Sequence, residues 1–487
     1  MAELSLPIYQ ALMDYRRGDQ IRMHMPGHKR GIGLPRHLPY YWHEIAALDI
    51  TEIPIADDLY QPSGIIKESQ QALADLYGAE DSYYLVNGAS VGLMAALMAI
   101  APAAGQAKRR VLLPRRAHRS LWHGCILADL WPVTTEELVD DETGLLMPLA
   151  TESLEQTLQA NPDLCAVVLL HPDYYGLCGD LQEAVALCHR YGLPVLVDEA
   201  HGTHLRFLPN PIHDGLQCGA DVVVQSPHKT ASSLTQTAWM HRQGTLVSAD
   251  RLHASLRLLH TSSPSFVLLA SLEASWYQLA TEGEEVYQTV VGVRQEIAKG
   301  LEATRPYSVL SERSFAHGYS VLAVDPCKLY LRARPMNMTG FVLADIVRSA
   351  GLEPELANAE GVLFLFGPGD GWVNRRIAVK RFASLPIDTN EAEPLPRYDI
   401  AFPVLERALS PRDAWMLPSM EVQLDNATAR IAAETITPYP PGIPIVTPGE
   451  RFSCEVIDII TRLLDHGAHV AGIDNSLRRV KVVMSDA

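Results

Sequence analysis

Short apolar runs alternate with longer amphipathic stretches along the first half of the chain. The runs with the length and β-branched content of buried strands are Ser82–Val86, Val111–Pro114, Ala166–Leu170, Pro194–Val197 and Asp221–Val224. The stretches between them repeat apolar residues three and four positions apart, and they predict helices such as Ile65–Tyr77, Val91–Ile100 and Leu181–Tyr191. This alternation predicts a mostly parallel β-sheet with helices on both faces.

The pattern changes after residue 230. Thr235–Met240 and Thr245–Val247 predict a β-hairpin, and Phe266–Glu302, with few helix breakers, predicts a long helix between two domains. The proline-rich stretch Ser384–Pro403 predicts a linker. The predicted parts of the chain are an N-terminal arm (1–30), a large domain (31–290), a small α/β region (291–383) and a C-terminal domain (384–487).

Composition narrows the classes of function. The 487 residues are 47% hydrophobic and 20% charged, as in an ordinary soluble globular protein. The net charge of −17 argues against a nucleic-acid or anionic-membrane partner, and the N-terminus lacks the pattern of a signal peptide. The seven scattered cysteines include no C-x-x-C pair, which predicts a reducing compartment and no metal site. We therefore expect a cytoplasmic protein that acts on small molecules.

Ionisable residues stand where two of the predicted strands end. Asp198 follows the run Pro194–Val197, and Lys229 comes soon after Asp221–Val224. Ligands of open α/β sheets bind at the carboxyl ends of the strands. A lysine that forms a Schiff base and a carboxylate that pairs with a protonated pyridine nitrogen are what pyridoxal 5'-phosphate (PLP) requires. The alternative is two core strands followed by solvated loops.

Three other loops have a functional and an ordinary interpretation. Asn87–Ser90 precedes a helix and would suit a phosphate, but many such turns bind nothing. His118 lies just past a strand, where its ring could face a flat cofactor or make only structural hydrogen bonds. The basic loop His24–Gly31 could reach an anionic group or be an exposed turn. The residues alone leave these alternatives open.

Six segments, in order along nearly the whole chain, resemble the ornithine/lysine/arginine decarboxylase family of PLP fold type I in its short form. They are Met25–Lys29, Val86–Ser90, Asp198–His204, Gln225–Thr230, Thr261–Phe266 and Tyr439–Pro444. The resemblance implies an α/β fold with an aspartate-aminotransferase-like large domain that binds PLP and a smaller C-terminal α/β domain. It also implies the form without the wing domain found in long, acid-inducible members.

The resemblance implies roles for individual residues. Lys229 would bond to PLP and Asp198 would pair with the pyridine nitrogen, while His118 would stack on the ring. The other implied cofactor contacts are His201, Ala89, Ser90 and Ser226, with Thr261 or Ser262 reaching the phosphate in a neighbouring subunit. A homodimer or a higher homo-oligomer would then be the active form.

The implied reaction is α-decarboxylation of lysine, arginine or ornithine, with His228 or Lys229 returning a proton to Cα. His28, Glu421 and Glu450 are the predicted substrate contacts, and Asp57 and Asp58 are further candidates for the distal cation. The alternatives are an aminotransferase or lyase of the same fold, for which Arg375, Arg376 and Arg381 are candidate carboxylate ligands, and a catalytically silent regulatory homologue.

The sequence departs from the family pattern near the phosphate and the ring. Pro227 stands where relatives often have Thr, and Ala89 stands where Ser or Thr is common. Each change removes a hydroxyl and leaves main-chain donors, so a lower affinity for the cofactor is expected. The segment around His118 also lacks an Asn and a Lys that many relatives have.

Overall fold

The computed structural model describes residues 4–103, 105, 109–135, 137–303, 307–315, 320–333, 335, 338–372, 375–386, 403–439, 442–465 and 469–484. Most of the predicted linker, 387–402, and residues 440–441 of the last family-like segment lie outside the described residues. Among the described residues, no helix is both long and apolar enough to cross a membrane.

A seven-stranded sheet forms the centre of the large domain. The first eight strands are β1 (Asp81–Leu85), β2 (Arg110–Leu112), β3 (Trp131–Val133), β4 (Leu164–Leu170), β5 (Leu177–Cys178), β6 (Val195–Glu199), β7 (Val222–Gln225) and β8 (Ala238–Arg242). The sheet has the order β1-β8-β7-β6-β4-β2-β3, and its five strands from β7 to β3 are parallel. The predicted mostly parallel sheet is confirmed.

The predicted hairpin after residue 234 is wrong. β8 lies between β1 and β7, antiparallel to both, and 245–247 form no strand. All five residues of β8 are buried. An interior strand needs a hydrogen-bonding neighbour on each edge, and β8 pairs with β7, which precedes it, and with β1, which is distant in sequence.

Helices cover both faces of this sheet. The first ten are α1 (Pro7–Arg17), α2 (Tyr40–Leu48), α3 (Ile65–Tyr77), α4 (Gly88–Ile100), α5 (Arg119–Ala128), α6 (Thr151–Ala160), α7 (Leu181–Arg190), α8 (Pro227–Thr230), α9 (Ala249–Leu259) and α10 (Phe266–Ala303). Alternate strand residues enter two hydrophobic clusters: Val195 and Val197 pack in one, and Leu196 packs in the other. Burial on both faces explains why the parallel strands appear in the sequence as continuous apolar runs.

The long helix α10 leads into a small antiparallel sheet. The elements of this region are β9 (Ser308–Val309), β10 (Ala323–Val324), β11 (Lys328–Arg332), α11 (Gly340–Ser349), β12 (Leu356–Ala357), β13 (Gly361–Leu365), α12 (Pro368–Trp372) and α13 (Arg375–Ala383). Its sheet has the order β12-β13-β11-β9, and β10 pairs with β5 of the large domain. The small region is thus joined to the loop that follows β4.

The C-terminal part has a hydrophobic cluster of its own. Its elements are α14 (Pro411–Met416), β14 (Ser419–Gln423), β15 (Thr437–Tyr439), α15 (Cys454–Asp465), β16 (His469–Ala471), β17 (Ile473–Asp474) and β18 (Arg479–Val483). Arg412 donates from Nε to the carbonyl oxygen of Ile126 in the large domain at 2.8 Å. The domain boundaries at residues 31, 291 and 384 stay predictions.

Candidate active site

The carboxyl ends of the strands bring the predicted residues to one edge of the large sheet. Asp198 pairs with Val224 across β6 and β7, and Lys229 lies just beyond the end of β7. β1 ends where Leu85 pairs with Ala238, at the start of β8, and β7 ends beside the same point. The turn after β1 and the loops after β6 and β7 therefore face one cleft.

Lys229 lies in the single-turn helix α8 and its side chain is half-buried. Its Nζ is 3.3 Å from His201 Nε2. Burial lowers the pKa of Lys229, and the negative charges of Asp198 and Glu355 oppose this shift. A lysine with a lowered pKa holds more of its amine in the neutral form, which is the form that attacks a carbonyl carbon.

Asp198 is a buried carboxyl group with few partners of its own. Its Oδ1 accepts the main-chain N–H of Ala200 at 3.2 Å. Burial raises the pKa of Asp198, and the positive charge of Lys229 opposes the rise. Because a buried carboxylate is stable only beside donors or a positive charge, this position suits a ligand that brings a protonated nitrogen.

Tyr174 connects Lys229 with the small region. Its ring packs against the His201 ring with centroids 4.7 Å apart, and its hydroxyl donates to Glu355 Oε1 at 2.5 Å. Burial, followed by the positive charges of Lys229 and Lys328, lowers the pKa of His201 well below its usual value. Neutral His201 can accept a hydrogen bond from Lys229, and Tyr174 links this pair to an exposed carboxylate.

His118 follows β2 and caps the N-terminus of α5. Its Nδ1 accepts the main-chain N–H of Ser120 at 3.3 Å and lies 2.8 Å from the Ser120 hydroxyl, so Nε2 carries the ring proton. The ring is accessible to solvent within the cleft. Desolvation by the surrounding protein, followed by the charge of Lys229, lowers the pKa of His118 to about 4. A neutral, accessible imidazole suits stacking on a flat ring, and this role stays a prediction.

The turn after β1 leads directly into α4 and has the geometry of an anion site. Gly88 has a φ of +79°, which strains other residues, and Ala89 and Ser90 are half-buried in the first helical turn. The N–H groups and the dipole of a helix N-terminus attract an anion. At the end of β7, Ser226 Oγ is buried and has no hydrogen-bond partner among the described residues. A phosphate would supply the partner that this hydroxyl lacks.

Two other predicted contacts lie beside these groups. The main-chain N–H of Thr261 donates to Asn87 Oδ1 of the same chain at 3.1 Å, and Ser262 is exposed. The reach of this loop into a neighbouring subunit stays a prediction. His228 Nδ1 donates to the carbonyl oxygen of Thr237 at 2.6 Å, which leaves His228 Nε2 available to a ligand.

The residues of the cleft fit the functional groups of PLP. Lys229 offers an amine for the aldehyde, Asp198 a carboxylate for the ring nitrogen, and His118 an imidazole for the face of the ring. The N-terminus of α4 and the unpartnered hydroxyl of Ser226 suit the phosphate.

The structure places Glu450 in a buried cluster of ion pairs. This residue is 3% exposed, and its Oε1 accepts from Arg407 at 3.0 Å. Its Oε2 accepts the main-chain N–H of Thr447 at 2.7 Å and lies 3.6 Å from Arg115 Nη2. Both guanidinium groups also lie against the Trp122 ring. Glu450 therefore links the C-terminal domain to the large domain through its buried oxygens, and its contact with a substrate cation stays a prediction.

Glu450→Ala is expected to lower the free energy of unfolding by about 3–5 kcal/mol, because it leaves buried guanidinium charges without their counter-ion. Glu406→Ala is the matched control, since Glu406 forms an ion pair with Arg451 in the same domain but is 71% exposed. The control should cost no more than about 1 kcal/mol. Urea unfolding of both variants measures the difference, and equal losses would refute the assignment.

His28 and Glu421 are also placed by the structure. His28 Nε2 lies 3.1 Å from Asp49 Oδ2, and its Nδ1 accepts the N–H of Gly31 at 3.1 Å, so both ring nitrogens are used within the N-terminal segment. Glu421 is exposed on β14, and its Oε2 lies 3.9 Å from Arg479 Nη1. Their contact with a substrate stays a prediction.

Three of the remaining candidates are engaged with other parts of the chain. Asp57 accepts main-chain N–H groups at the start of α3, and these hydrogen bonds lower its pKa although burial opposes them. Arg375 pairs with Glu296 on the surface, and Arg381 donates to the carbonyl oxygen of Gly351. These contacts weaken the aminotransferase alternative, because they occupy two of the arginines proposed to hold a substrate carboxylate.

The described residues add Tyr174 and Glu355 to the site, and both were missed from the sequence. Tyr174 belongs to the loop after β4, so its position at a strand end was a usable signal. Glu355 precedes the two-residue strand β12 and has no local pattern that marks it. A cavity of about 260 Å³ lies elsewhere, between α3, β1 and α9, and none of the predicted site residues lines it.

Two family models match the chain. The model described as "Orn/Lys/Arg decarboxylase, major domain" matches residues 6–373, and "Orn/Lys/Arg decarboxylase, C-terminal domain" matches residues 404–486. Together they include every residue of the cleft that is discussed above.

Individual proteins are similar over nearly the whole chain. The arginine decarboxylase of Bacillus subtilis (strain 168) is 31% identical over 489 residues, which cover 99% of each protein. The arginine decarboxylase of Bacillus anthracis is 30% identical over 495 residues, covering 99% of this chain and 98% of that protein. The crystal structure of the Francisella novicida lysine decarboxylase superposes with a TM-score of 0.83 at 17% identity, covering 99% of this chain and 82% of that one. The last likeness supports the fold.

Proposed function

The chain belongs to the Orn/Lys/Arg decarboxylase family, and from this premise we propose that it catalyses the PLP-dependent α-decarboxylation of a basic L-amino acid, with arginine preferred. The observation that carries the proposal is the convergence of Lys229, Asp198 and Glu355 on one cleft. Asp198 and Lys229 stand at the ends of neighbouring strands, and His201 and Tyr174 link Lys229 to Glu355. Lys229, Asp198 and Glu355 respectively provide an amine nucleophile, a buried carboxylate and an exposed carboxylate. Arginine is proposed because similar proteins over the full length are arginine decarboxylases.

The residues of the cleft would divide the work of holding PLP and substrate. Lys229 would bond to the cofactor, Asp198 would keep the ring nitrogen protonated, and His118 would cover one face of the ring. When bound, PLP supplies an electron sink for the electrons of the breaking bond between Cα and the carboxylate. Asp198 is suited to its task because burial makes its charge depend on a cationic partner.

The proton that replaces the carboxylate would come from one of two groups. Lys229 Nζ is one candidate, because its amine would be free of the cofactor while the substrate is bound. His228 Nε2 is the other, since its Nδ1 is anchored to Thr237. Burial lowers the pKa of His228, which disfavours the protonated ring. A neutral His228 keeps its one ring proton on Nδ1, where it donates to Thr237, so its Nε2 has no proton to give and Lys229 is the proposed donor.

Glu355 is the carboxylate proposed to bind the distal cation of the substrate. Burial lowers the pKa of Lys229, and the negative charges of Asp198 and Glu355 oppose this shift; Asp198 is itself buried. Glu355 is exposed, and its Oε1 is oriented by the Tyr174 hydroxyl. A guanidinium group can donate two parallel hydrogen bonds to a carboxylate, which suits arginine at this position.

Glu355→Gln is expected to raise KM for arginine about 10- to 100-fold with a small change in kcat, because it removes a charge-assisted hydrogen bond far from the reacting carbon. Glu353→Gln is the matched control, since Glu353 lies two residues away, is 78% exposed and pairs with Arg348. Steady-state kinetics of both variants provide the test. An unchanged KM in Glu355→Gln would exclude Glu355 as the ligand of the cation.

A homodimer is proposed as the active form. Residues 21–45 expose several large apolar side chains, including Ile21 (86%), Met23 (85%), Ile32 (84%) and Tyr40 (75%). Apolar surface of this extent usually marks an interface, and a second copy of the chain would cover it. Sedimentation of the purified protein should give twice the chain mass or a multiple of it. Purely monomeric protein with full activity would contradict this part of the proposal.

A further inference from the structure

A short segment of the small region, Asp325–Lys328, is inserted between two loops of the large domain. Asp325 Oδ1 accepts from His204 Nε2 at 2.9 Å. Lys328 Nζ donates to the carbonyl oxygens of Asp173 and Tyr174 at 3.0 and 2.8 Å. Asp325, Lys328 and His204 are all buried. The Asp325 side chain thus holds the loop after β6, and the Lys328 side chain holds the loop after β4.

These two loops carry the groups that meet at Lys229. The loop after β6 contains His201, whose Nε2 is 3.3 Å from Lys229 Nζ. The loop after β4 contains Tyr174, whose ring packs on His201 and whose hydroxyl donates to Glu355. A displacement of the main chain at Tyr174 would therefore change the position of the Glu355 carboxylate relative to Lys229.

The approach of Lys328 to the loop depends on a glycine. Gly176 has a φ of +94°, and a Cβ at this position would lie 3.0 Å from both Lys328 Cδ and Asp325 Cβ. The loop and the segment are therefore in close contact. Burial lowers the pKa of Lys328, and the charges of Asp325 and Asp173 oppose that shift and stabilise the ammonium group.

We propose that Lys328 is a positioning residue for substrate recognition, which fixes the main chain at Tyr174 and thereby aims the Tyr174–Glu355 pair at the distal cation of the substrate. This inference rests on the proposed function. It differs from a purely structural role because the effect of Lys328 must pass through the Tyr174 hydroxyl. The neighbouring residues of β11 should not have this effect on substrate recognition.

Arg332 offers a matched control on the same strand. Its Nη1 and Nη2 donate to Glu142 Oε1 and to the Glu142 carbonyl oxygen, each at 3.0 Å. Arg332 is thus a second cation of β11 that bonds a main-chain carbonyl of the large domain, but its contact does not involve Tyr174. Lys328→Met and Arg332→Met each remove one such link.

The experiment is a double-mutant cycle on the holoenzyme, with Lys328→Met, Tyr174→Phe, the double variant and Arg332→Met. Lys328→Met should raise KM for arginine about tenfold with a smaller effect on kcat, and Tyr174→Phe should do the same. In the Tyr174→Phe background the further effect of Lys328→Met on KM should disappear, because both substitutions act through one hydroxyl. Arg332→Met should leave KM unchanged.

Binding of arginine, followed by the absorbance of the bound cofactor, supplies a readout that does not need turnover. If Lys328→Met does not fold, Lys328→Arg takes its place and should give a smaller rise in KM that also vanishes with Tyr174→Phe. Effects on KM that simply multiply, or an equal effect of Arg332→Met, would overturn the inference while the proposed function stands. A chain that releases no CO₂ from any basic amino acid would instead overturn the proposed function.

Discussion

Lys229→Ala is expected to reduce the rate of decarboxylation by at least about 10⁴-fold, the scale on which loss of an activated nucleophile acts. The physical reason is that Lys229 is the amine of the cleft whose pKa is lowered by burial and which lies beside His201. Without it, no covalent attachment of the cofactor to the chain is possible at this position. The measurements are kcat and KM for arginine, with the mass of the borohydride-reduced protein after incubation with PLP.

Lys67→Ala is the control for this experiment, because Lys67 is exposed on α3. It should keep full activity. A cofactor adduct should form at Lys229 in the control and in the unmodified chain, and no adduct should form in Lys229→Ala. An active Lys229→Ala variant, or an adduct on another lysine, would refute the assignment of Lys229.

Asp198→Asn is expected to lower kcat by about 10²- to 10³-fold, as expected when a preorganised electrostatic partner of the reacting group is removed. A neutral amide cannot keep the ring nitrogen protonated. The fold should tolerate the change, because burial already raises the pKa of Asp198 and its one described main-chain hydrogen bond, from Ala200, can be accepted by an amide oxygen. Steady-state kinetics and urea unfolding measure the two expectations.

Asp221→Asn is the matched control for Asp198→Asn. Asp221 is also buried, but it precedes β7 at the opposite edge of the sheet, where it accepts from His189 and from the main-chain N–H of Val195. It should lose stability and keep kcat. If Asp198→Asn loses only stability as well, Asp198 is a structural residue and not the partner of the ring nitrogen.

The placement of Asp198 and Lys229 could be predicted because the buried strands of a parallel sheet are recognisable from local sequence. β6 and β7 are uninterrupted apolar runs, and Asp198 and Lys229 stand at or just past their ends. Parallel strands place those ends at one edge. The same reasoning predicts that the turn before α4 and His118, which follows β2, lie at this edge of the sheet.

The contacts that sequence patterns miss are those between distant segments. β8 has the composition of a hairpin strand, yet it lies between β7 and β1, and β1 is far away in the sequence. Glu355 accepts from a tyrosine 181 positions away, and nothing near it in the sequence marks this contact.

Glu450 shows that local sequence does not reveal the partners of a carboxylate. A carboxylate in a family-like position was assigned to the substrate, but the structure pairs it with Arg115 and Arg407. Local sequence identifies the type of residue, whereas its partner depends on which domain surfaces meet. Acidic residues proposed for a distal cation therefore need the tertiary structure before they can be ranked.

The measurement that tests the account most directly is release of labelled CO₂ from L-arginine, L-lysine and L-ornithine carrying the label in the α-carboxylate. With PLP and no keto acid present, the chain should release CO₂ and form agmatine in equal amounts, with the highest kcat/KM for arginine, and Lys229→Ala should release none. Turnover that requires a keto acid and retains the carboxylate label in the product would contradict the account.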